Sequence, residues 1–194
     1  MPHQGREVAL PVAIDTLPDL LSDALDVVFI GINPSLYSVA QGHYFARKAN
    51  RFWPALSRSV LSEPARRALG VERLEPHHDG ALLAHGIGFT DVVKRASARA
   101  GEVSPEEFIQ GARDLVALLE KYQPRIACFQ GMMGYRPFHR VLAPTAAKAE
   151  LGEQPLRVGQ TRLFVVPSPS PANAHGSPTE QTAWYDRLAA IHHA

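Results

Sequence analysis

Two loops carry most of the residue types that could do chemistry in this 194-residue chain. The first runs from Gly31 to Trp53 and the second from Val166 to His175, and both contain proline and small polar residues. The first loop lacks GxGxxG and GxxxxGK(S/T), the patterns in which backbone amides cradle phosphates. Amide, hydroxyl and aromatic side chains therefore remain as its candidate functional groups.

The composition argues against metal and thiol chemistry. Cys128 is the single cysteine, which excludes an internal disulfide, a zinc site built on several thiolates and a four-cysteine cluster. The histidine pairs His77-His78 and His192-His193 are adjacent, so their members do not share a helix face, and no partner set for a metal is evident. We therefore expect neither a metal nor a cofactor.

Charge is balanced overall but not locally. Lys plus Arg is 20 and Asp plus Glu is 19, whereas a protein that merely coats nucleic acid is usually more basic. An anionic partner must be met by local patches, although each patch alone is also explained as a solvated face. The basic residues cluster in three places: Arg47, Lys48, Arg51 and Arg58; Lys94, Arg95 and Arg99; and Arg136, His139 and Arg140.

The chain is expected to be a single cytoplasmic domain. No apolar run approaches the roughly 18 residues of a membrane helix, and the first seven residues are polar, without a signal-peptide core. Residues 1–15 are predicted to be a loosely held arm before one domain spanning residues 16–194. We expect a monomer without a membrane partner.

The elements that must position the loops alternate between strands and helices. Strands are predicted at Asp26–Gly31 and Arg125–Gln130, and a hairpin through Gln160 joins Leu156–Gly159 to Arg162–Val166. Helices are predicted at Arg51–Leu61, Glu63–Leu69, Ala81–Ala84, Ser104–Tyr122 and Pro178–Ile191, and a further helix follows the turn at Gly131. Asn50 is the predicted cap of the first of these helices, and a capping box opens the one at Ser104. Residues Gly86–Asp91 are predicted to break the helix at Ala81–Ala84.

This alternation predicts an α/β fold, a three-layer α/β/α sandwich with a central, mostly parallel sheet. Ligands of such sheets bind outside the carboxyl ends of the strands. The loops after Gly31 and Val166 both leave such ends. They are therefore expected to face one site.

The start of the first loop, Gly31-Ile-Asn-Pro-Ser35, resembles the Gly-Ile-Asn-Pro-Gly signature of the mismatch-specific uracil-DNA and thymine-DNA glycosylases, with Ser35 in place of the last glycine. Further matching segments stand at the family's spacing: Thr16–Asp19, Gly42-His43, Asn50–Trp53, Gly88–Arg95 and Val166–Ser170. The resemblance covers about residues 16–190. It implies a single α/β/α domain that hydrolyses the bond joining a base to deoxyribose in DNA, the base being uracil in a G·U mismatch or another damaged pyrimidine. Such an enzyme must flip the base out of the duplex.

The resemblance assigns roles to first-loop residues. Asn33 matches the residue that orients the attacking water, although an asparagine before Pro34 is also a common turn former. Phe45 matches the aromatic that stacks on the flipped base, with a core phenylalanine as the alternative. Ser38 matches a position that lines the pocket near the 5-carbon of the base, and the backbone N–H groups of Ile32 and Phe45 are the expected donors to the uracil oxygens. Tyr44 and His43 flank Phe45. His43 is either a donor to the base or to a phosphate, or a purely structural residue.

Asp91 departs from the pattern in a useful way. Relatives carry Asn or Lys at the matching place, whereas a carboxylate can accept a proton from the water. Burial would raise its pKa, and Lys94 or Arg95 would lower it. The alternative is an N-cap for a turn that begins at Val92.

The second loop matches the segment that enters the duplex. Relatives place a large wedge, Leu or Arg, where this chain has Ala172, so Asn173 or His175 is the candidate substitute. The Pro171 carbonyl and the Asn173 N–H are expected to read the guanine left behind. Phosphate contacts are predicted from Ser168, Ser170, Arg47, Lys48 and Arg51.

Two rival functions remain open from the sequence. One is a protein that flips and binds uracil but hydrolyses poorly, because Asn33 alone is a weak catalyst and Ala172 a weak wedge. The other is a nucleotide-binding α/β module, which would bind free nucleotide. Asp91 discriminates, since a carboxylate that lines the pocket favours an enzyme. Lys48 and Lys94 show no sign of the desolvated pocket that a Schiff-base lysine needs.

Overall fold

The computed structural model describes residues 16–145, 148–174 and 176–192, and the predicted arm at residues 1–15 lies outside them. Five strands form one sheet in the order β2-β1-β3-β5-β4. The first four of these are parallel, and β4 joins β5 antiparallel as the predicted hairpin. The strands are β1 (Val27–Gly31), β2 (Ile87–Asp91), β3 (Ile126–Gln130), β4 (Gly152–Val158) and β5 (Thr161–Val166).

Six α-helices accompany the sheet, and no helix among the described residues is long and apolar enough to cross a membrane. They are α1 (Leu36–Gln41), α2 (Phe52–Arg58), α3 (Glu63–Leu69), α4 (Pro105–Tyr122), α5 (Met132–Leu142) and α6 (Pro178–His192). Short 3₁₀ turns lie at Val60–Ser62, Pro76–His78, Ala81–His85 and Ala100–Glu102.

Side chains of the inner strand β1 alternate between two hydrophobic cores, as a strand buried on both faces requires. Val27 and Phe29 of β1 pack in one core, with Phe52 of α2 and Tyr185 of α6. The other core holds the remaining apolar positions of β1 and the inner faces of α4 and α5: Val28, Ile30, Leu115, Leu119, Tyr135 and Phe138. Helices cover both faces, so the predicted α/β/α sandwich is confirmed.

One predicted element is wrong in a way that matters for the site. Residues 86–91 were predicted to break a helix, but Ile87–Asp91 is the edge strand β2. Gly86, with a φ of 74°, ends the preceding 3₁₀ turn, and Gly88 makes room for the Leu20 carbonyl, which would lie 2.6 Å from a Cβ atom there. Gly86 is thus a left-handed cap and Gly88 allows a close backbone approach to a buried strand, and a helix-breaking pattern in the sequence does not distinguish these roles.

Two smaller differences concern element lengths. The helix predicted at residues 51–61 ends at Arg58 and continues as a 3₁₀ turn, and the first loop contains the unpredicted helix α1. The capping box at Ser104 is confirmed, with Ser104 Oγ accepting from the Glu107 N–H and the Glu107 carboxylate accepting from the Ser104 N–H. That box opens α4 as predicted.

Candidate active site

A cavity of about 420 Å³ lies at the carboxyl ends of the parallel strands, the size of a small-molecule site. The first and second loops both line it, and Asp91 at the end of β2 and Gln130 at the end of β3 complete the wall. Eleven predicted site residues share this lining: Ile32, Asn33, Ser38, Tyr44, Phe45, Arg47, Asp91, Ser168, Ser170, Pro171 and Ala172. The structure therefore brings together two loops that are more than 100 residues apart.

The Asp91 carboxyl group lies inside this wall and is only 4% exposed. It does not cap a turn at Val92, because the N–H groups of Val92 and Val93 donate to the carbonyls of Gly31 and Ile32 at 3.0 and 2.9 Å. Nor does a side chain or backbone N–H among the described residues donate to the carboxylate. Asp91 is therefore available to a molecule in the cavity.

Glycine at position 31 makes room for this carboxyl group. A Cβ atom on Gly31 would lie 2.2 Å from Asp91 Oδ1, closer than real contacts allow, and 3.5 Å from Cε1 of Phe45. The glycine of the first-loop motif thus lets β1 and β2 approach with a carboxylate between the strand ends. Its role here is close packing with Asp91.

Burial raises the pKa of Asp91 to about 7, against the lowering effect of the nearby Lys94 charge and with a further raising effect from Asp19. A carboxylate in water titrates far below neutral pH. Asp91 is therefore matched to accepting a proton near neutral pH, which is the property of a general base.

Asn33 is oriented by two hydrogen bonds from its amide nitrogen. Nδ2 donates to the Arg95 carbonyl and to Ser97 Oγ, both at 2.8 Å. Because a backbone carbonyl only accepts, the amide nitrogen must face Arg95, and Oδ1 is left without a donor among the described residues. That oxygen is free to accept a hydrogen bond from a water in the cavity.

Phe45 has one ring face against the core and lines the cavity. Its ring stacks on Phe52 with centroids 4.3 Å apart, and the residue is half-buried. Its backbone is left-handed, with a φ of 52°, a conformation that costs about 1–3 kcal/mol in a non-glycine residue. The neighbouring N–H groups of Tyr44 and Ala46 are held by Asp79 and Ser38, which supports this conformation.

Tyr44, His43 and Ser38 are held by the protein itself. Tyr44 is buried, its hydroxyl donates to the Pro18 carbonyl, and burial raises its pKa, so the hydroxyl stays neutral. His43 Nδ1 lies 3.1 Å from Asp79 Oδ1, and the residue is not part of the cavity lining. Ser38 Oγ in α1 accepts hydrogen bonds from the Ser35 hydroxyl and from the Ala46 N–H.

Arg51 holds the second loop from inside. Its Nη2 donates to the carbonyls of Ser168, Ser170 and Asn173 at 3.1–3.2 Å, and its own N–H donates to the Pro169 carbonyl. This side chain was predicted to meet a phosphate, but its Nη2 is already engaged with loop carbonyls. Of the basic residues predicted for the first loop, Arg47 and Lys48 are the exposed ones.

The tip of the second loop is small and exposed. Pro171 and Ala172 are exposed at the cavity, and Ser168 and Ser170 accept hydrogen bonds from the N–H groups of Ser170 and Ala172. The Asn173 N–H, predicted to read guanine, donates to the Ser170 carbonyl, and its side-chain amide donates to the Ser168 carbonyl. The other candidate wedge, His175, lies outside the described residues.

Several residues of the cavity lining were not predicted from the sequence, among them Ser97, Gln130 and Met133. Ser97 orients Asn33 from 64 positions away, and no local pattern indicates it. Gln130 accepts a hydrogen bond from the Tyr185 hydroxyl at 2.8 Å, and its position at the end of a predicted strand was the available signal. Met133, 52% exposed, lines the mouth.

Comparisons with known proteins identify a family and a shared fold. The family model of the Uracil DNA glycosylase superfamily matches residues 18–189. The solution NMR structure of a candidate uracil DNA glycosylase from Methanosarcina acetivorans superposes with a TM-score of 0.54 and 21% sequence identity. The match covers 93% of this chain and 97% of that one, which shows a shared fold.

Proposed function

Since the chain belongs to the Uracil DNA glycosylase superfamily, we propose that it is a monofunctional DNA repair glycosylase of the mismatch-specific type. It hydrolyses the N-glycosidic bond of uracil in DNA and leaves an abasic site. One observation carries the proposal. Asp91, Asn33 and Phe45 line the same cavity, and neither the Asp91 carboxylate nor the Asn33 amide oxygen accepts a hydrogen bond from a described residue.

The target bond is unreachable in a stacked duplex, so the uracil nucleotide flips into the cavity. The Phe45 ring stacks on the base, since its other face is already supported by Phe52. The backbone N–H groups of Ile32 and Phe45 donate to the uracil oxygens. These donors stabilise the negative charge that builds on the base as the bond breaks.

Water is the nucleophile. Asn33 Oδ1 accepts one hydrogen bond from it, and Asp91 takes its proton as the oxygen bonds to C1′ of the sugar. The electron pair of the C1′–N1 bond leaves with the uracil anion. Lys94 Nζ donates to Asp19 at 2.5 Å and to Thr90 at 2.6 Å, so these contacts occupy the amine and it is not assigned as a lyase nucleophile.

The excision assay tests this proposal. Purified protein in excess is incubated with an oligonucleotide that holds one uracil, and alkali then cleaves at abasic sites. We expect Asp91→Asn to slow single-turnover excision by about 10²–10⁴-fold, and Asn33→Ala to slow it while DNA binding survives. Asp23→Asn, which alters an exposed carboxylate outside the cavity, is the matched control and should excise normally.

The same assay separates catalysis from recognition. The wild-type rate should fall as the pH drops below about 7, because Asp91 then holds a proton. Tight binding of uracil-containing DNA without excision by the wild-type protein would favour the rival function, a damage-recognition protein with little activity. Wild-type rates in Asp91→Asn would remove Asp91 from the mechanism.

A further inference from the structure

A partly exposed cluster of polar side chains adjoins Asp91 and contributes no group to the reaction described so far. Lys94 Nζ donates to Asp19 Oδ1 at 2.5 Å, to Thr90 Oγ1 at 2.6 Å and to the backbone carbonyl of Asp91 at 3.0 Å. The Thr90 hydroxyl also donates to Asp19 Oδ1 at 2.6 Å. A cation and an anion thus stand together next to the proposed base.

Asp19 reaches this place because residues 16–20 dock against β2. The Leu20 N–H donates to the Phe89 carbonyl and the Phe89 N–H to the Leu20 carbonyl, both at 2.9 Å. The Thr16 hydroxyl donates to the Lys94 carbonyl at 2.5 Å, and the Pro18 carbonyl accepts from Tyr44. This segment lies on the outer edge of the sheet, and its position is set by hydrogen bonds to the strand that ends at Asp91.

The Lys94–Asp19 ion pair affects how readily the Asp91 carboxylate takes up a proton. An unpaired ammonium group close to a carboxylate favours the ionised form and makes it a weaker base. The charge of Lys94 lowers the pKa of Asp91 and that of Asp19 raises it. The buried Tyr44 hydroxyl is neutral, and Arg47 and Arg99 line the same cavity. With Asp19 in place, the positive charge of Lys94 is paired with a carboxylate 2.5 Å away.

We propose that Asp19 is a positioning residue for the reaction, which holds Lys94 in an ion pair so that Asp91 works as a base near neutral pH. The proposal rests on the proposed role of Asp91. It makes residues 16–20 a functional part of the site, although they are absent from the cavity lining save for Leu17.

The test compares pH profiles of single-turnover excision between pH 5 and 9. Asp19→Asn leaves Lys94 unopposed, so the midpoint should move to lower pH by about one unit. Lys94→Met removes the cation and should move it to higher pH, while the double variant returns towards wild type. Glu63→Gln, which breaks the exposed pair with Arg67, is the matched control and should leave the midpoint unchanged.

A second readout does not depend on activity. The Asp91 carboxyl carbon is followed by NMR titration, with its resonance identified by its loss in Asp91→Asn. If the midpoint moves in Asp19→Asn and Lys94→Met in opposite directions, the inference stands even where the protein excises nothing, and only the proposed function fails. A uniform loss of rate with unmoved midpoints in both measurements would show that Asp19 is merely structural and would overturn the inference.

Discussion

Replacing Asp91 by asparagine should exchange activity for stability. Folding raises the pKa of this carboxyl group from 3.8 to about 7, chiefly through burial. The folded protein therefore holds the proton more tightly than the unfolded chain between these two pH values. As the pH rises through that window, Asp91 ionises in the unfolded chain but stays protonated in the folded protein, which lowers the free energy of unfolding. This loss of stability is complete above about pH 7.

The size of the loss follows from the two pKa values. A separation of about three pH units at about 1.4 kcal/mol each corresponds to about 4 kcal/mol. Asparagine fills the same space and carries no charge at any pH, so Asp91→Asn avoids this cost. The variant should match the wild type near pH 4 and exceed it by up to about 4 kcal/mol at pH 8.

Urea unfolding at pH 4, 6 and 8 measures the difference. Asp23→Asn is the control, because it alters an exposed carboxylate outside the cavity and leaves Asp91 in place, so its stability should follow that of the wild type at each pH. Excision by Asp91→Asn is measured on the same preparation and should be lost by about 10²–10⁴-fold. A stability difference that is independent of pH, or that grows as the pH falls, would refute the assignment of a raised pKa to Asp91.

Three other predictions concern DNA. Phe45→Ala should weaken engagement of the flipped base by about 1–3 kcal/mol, measured as binding of uracil-containing against undamaged DNA, and equal losses on both would contradict stacking. Arg47→Gln and Lys48→Gln should each lower the slope of log affinity against log salt by about one unit, whereas Arg113→Gln on α4 should not. Wild-type protein should excise single-stranded or G·U uracil before A·U uracil, and Ala172→Leu should narrow that gap by filling the vacated stack; equal wild-type rates on G·U and A·U would mean that another residue is the wedge.

Local sequence determined the main elements and the identity of both loops. The apolar run at Val27–Gly31, the capping box at Ser104 and the hairpin of β4 and β5 each depend on neighbouring residues, and all three are confirmed. The carboxyl-end rule then predicted that both loops face one site, since it follows from the parallel sheet alone. They line one cavity.

Tertiary structure decided what the individual groups can do. Gly31 and Asp91 are 60 positions apart, yet the carboxylate fits only because β1 and β2 pair with no Cβ between them. Asp91 meets the Lys94 charge, and Lys94 in turn is opposed by Asp19, 75 positions away. Burial and charge at Asp91 depend on segments that are distant along the chain, whereas sequence patterns report only near neighbours. For that reason the sequence identifies Asp91 as a candidate base, whereas its strength as a base depends on the packed fold.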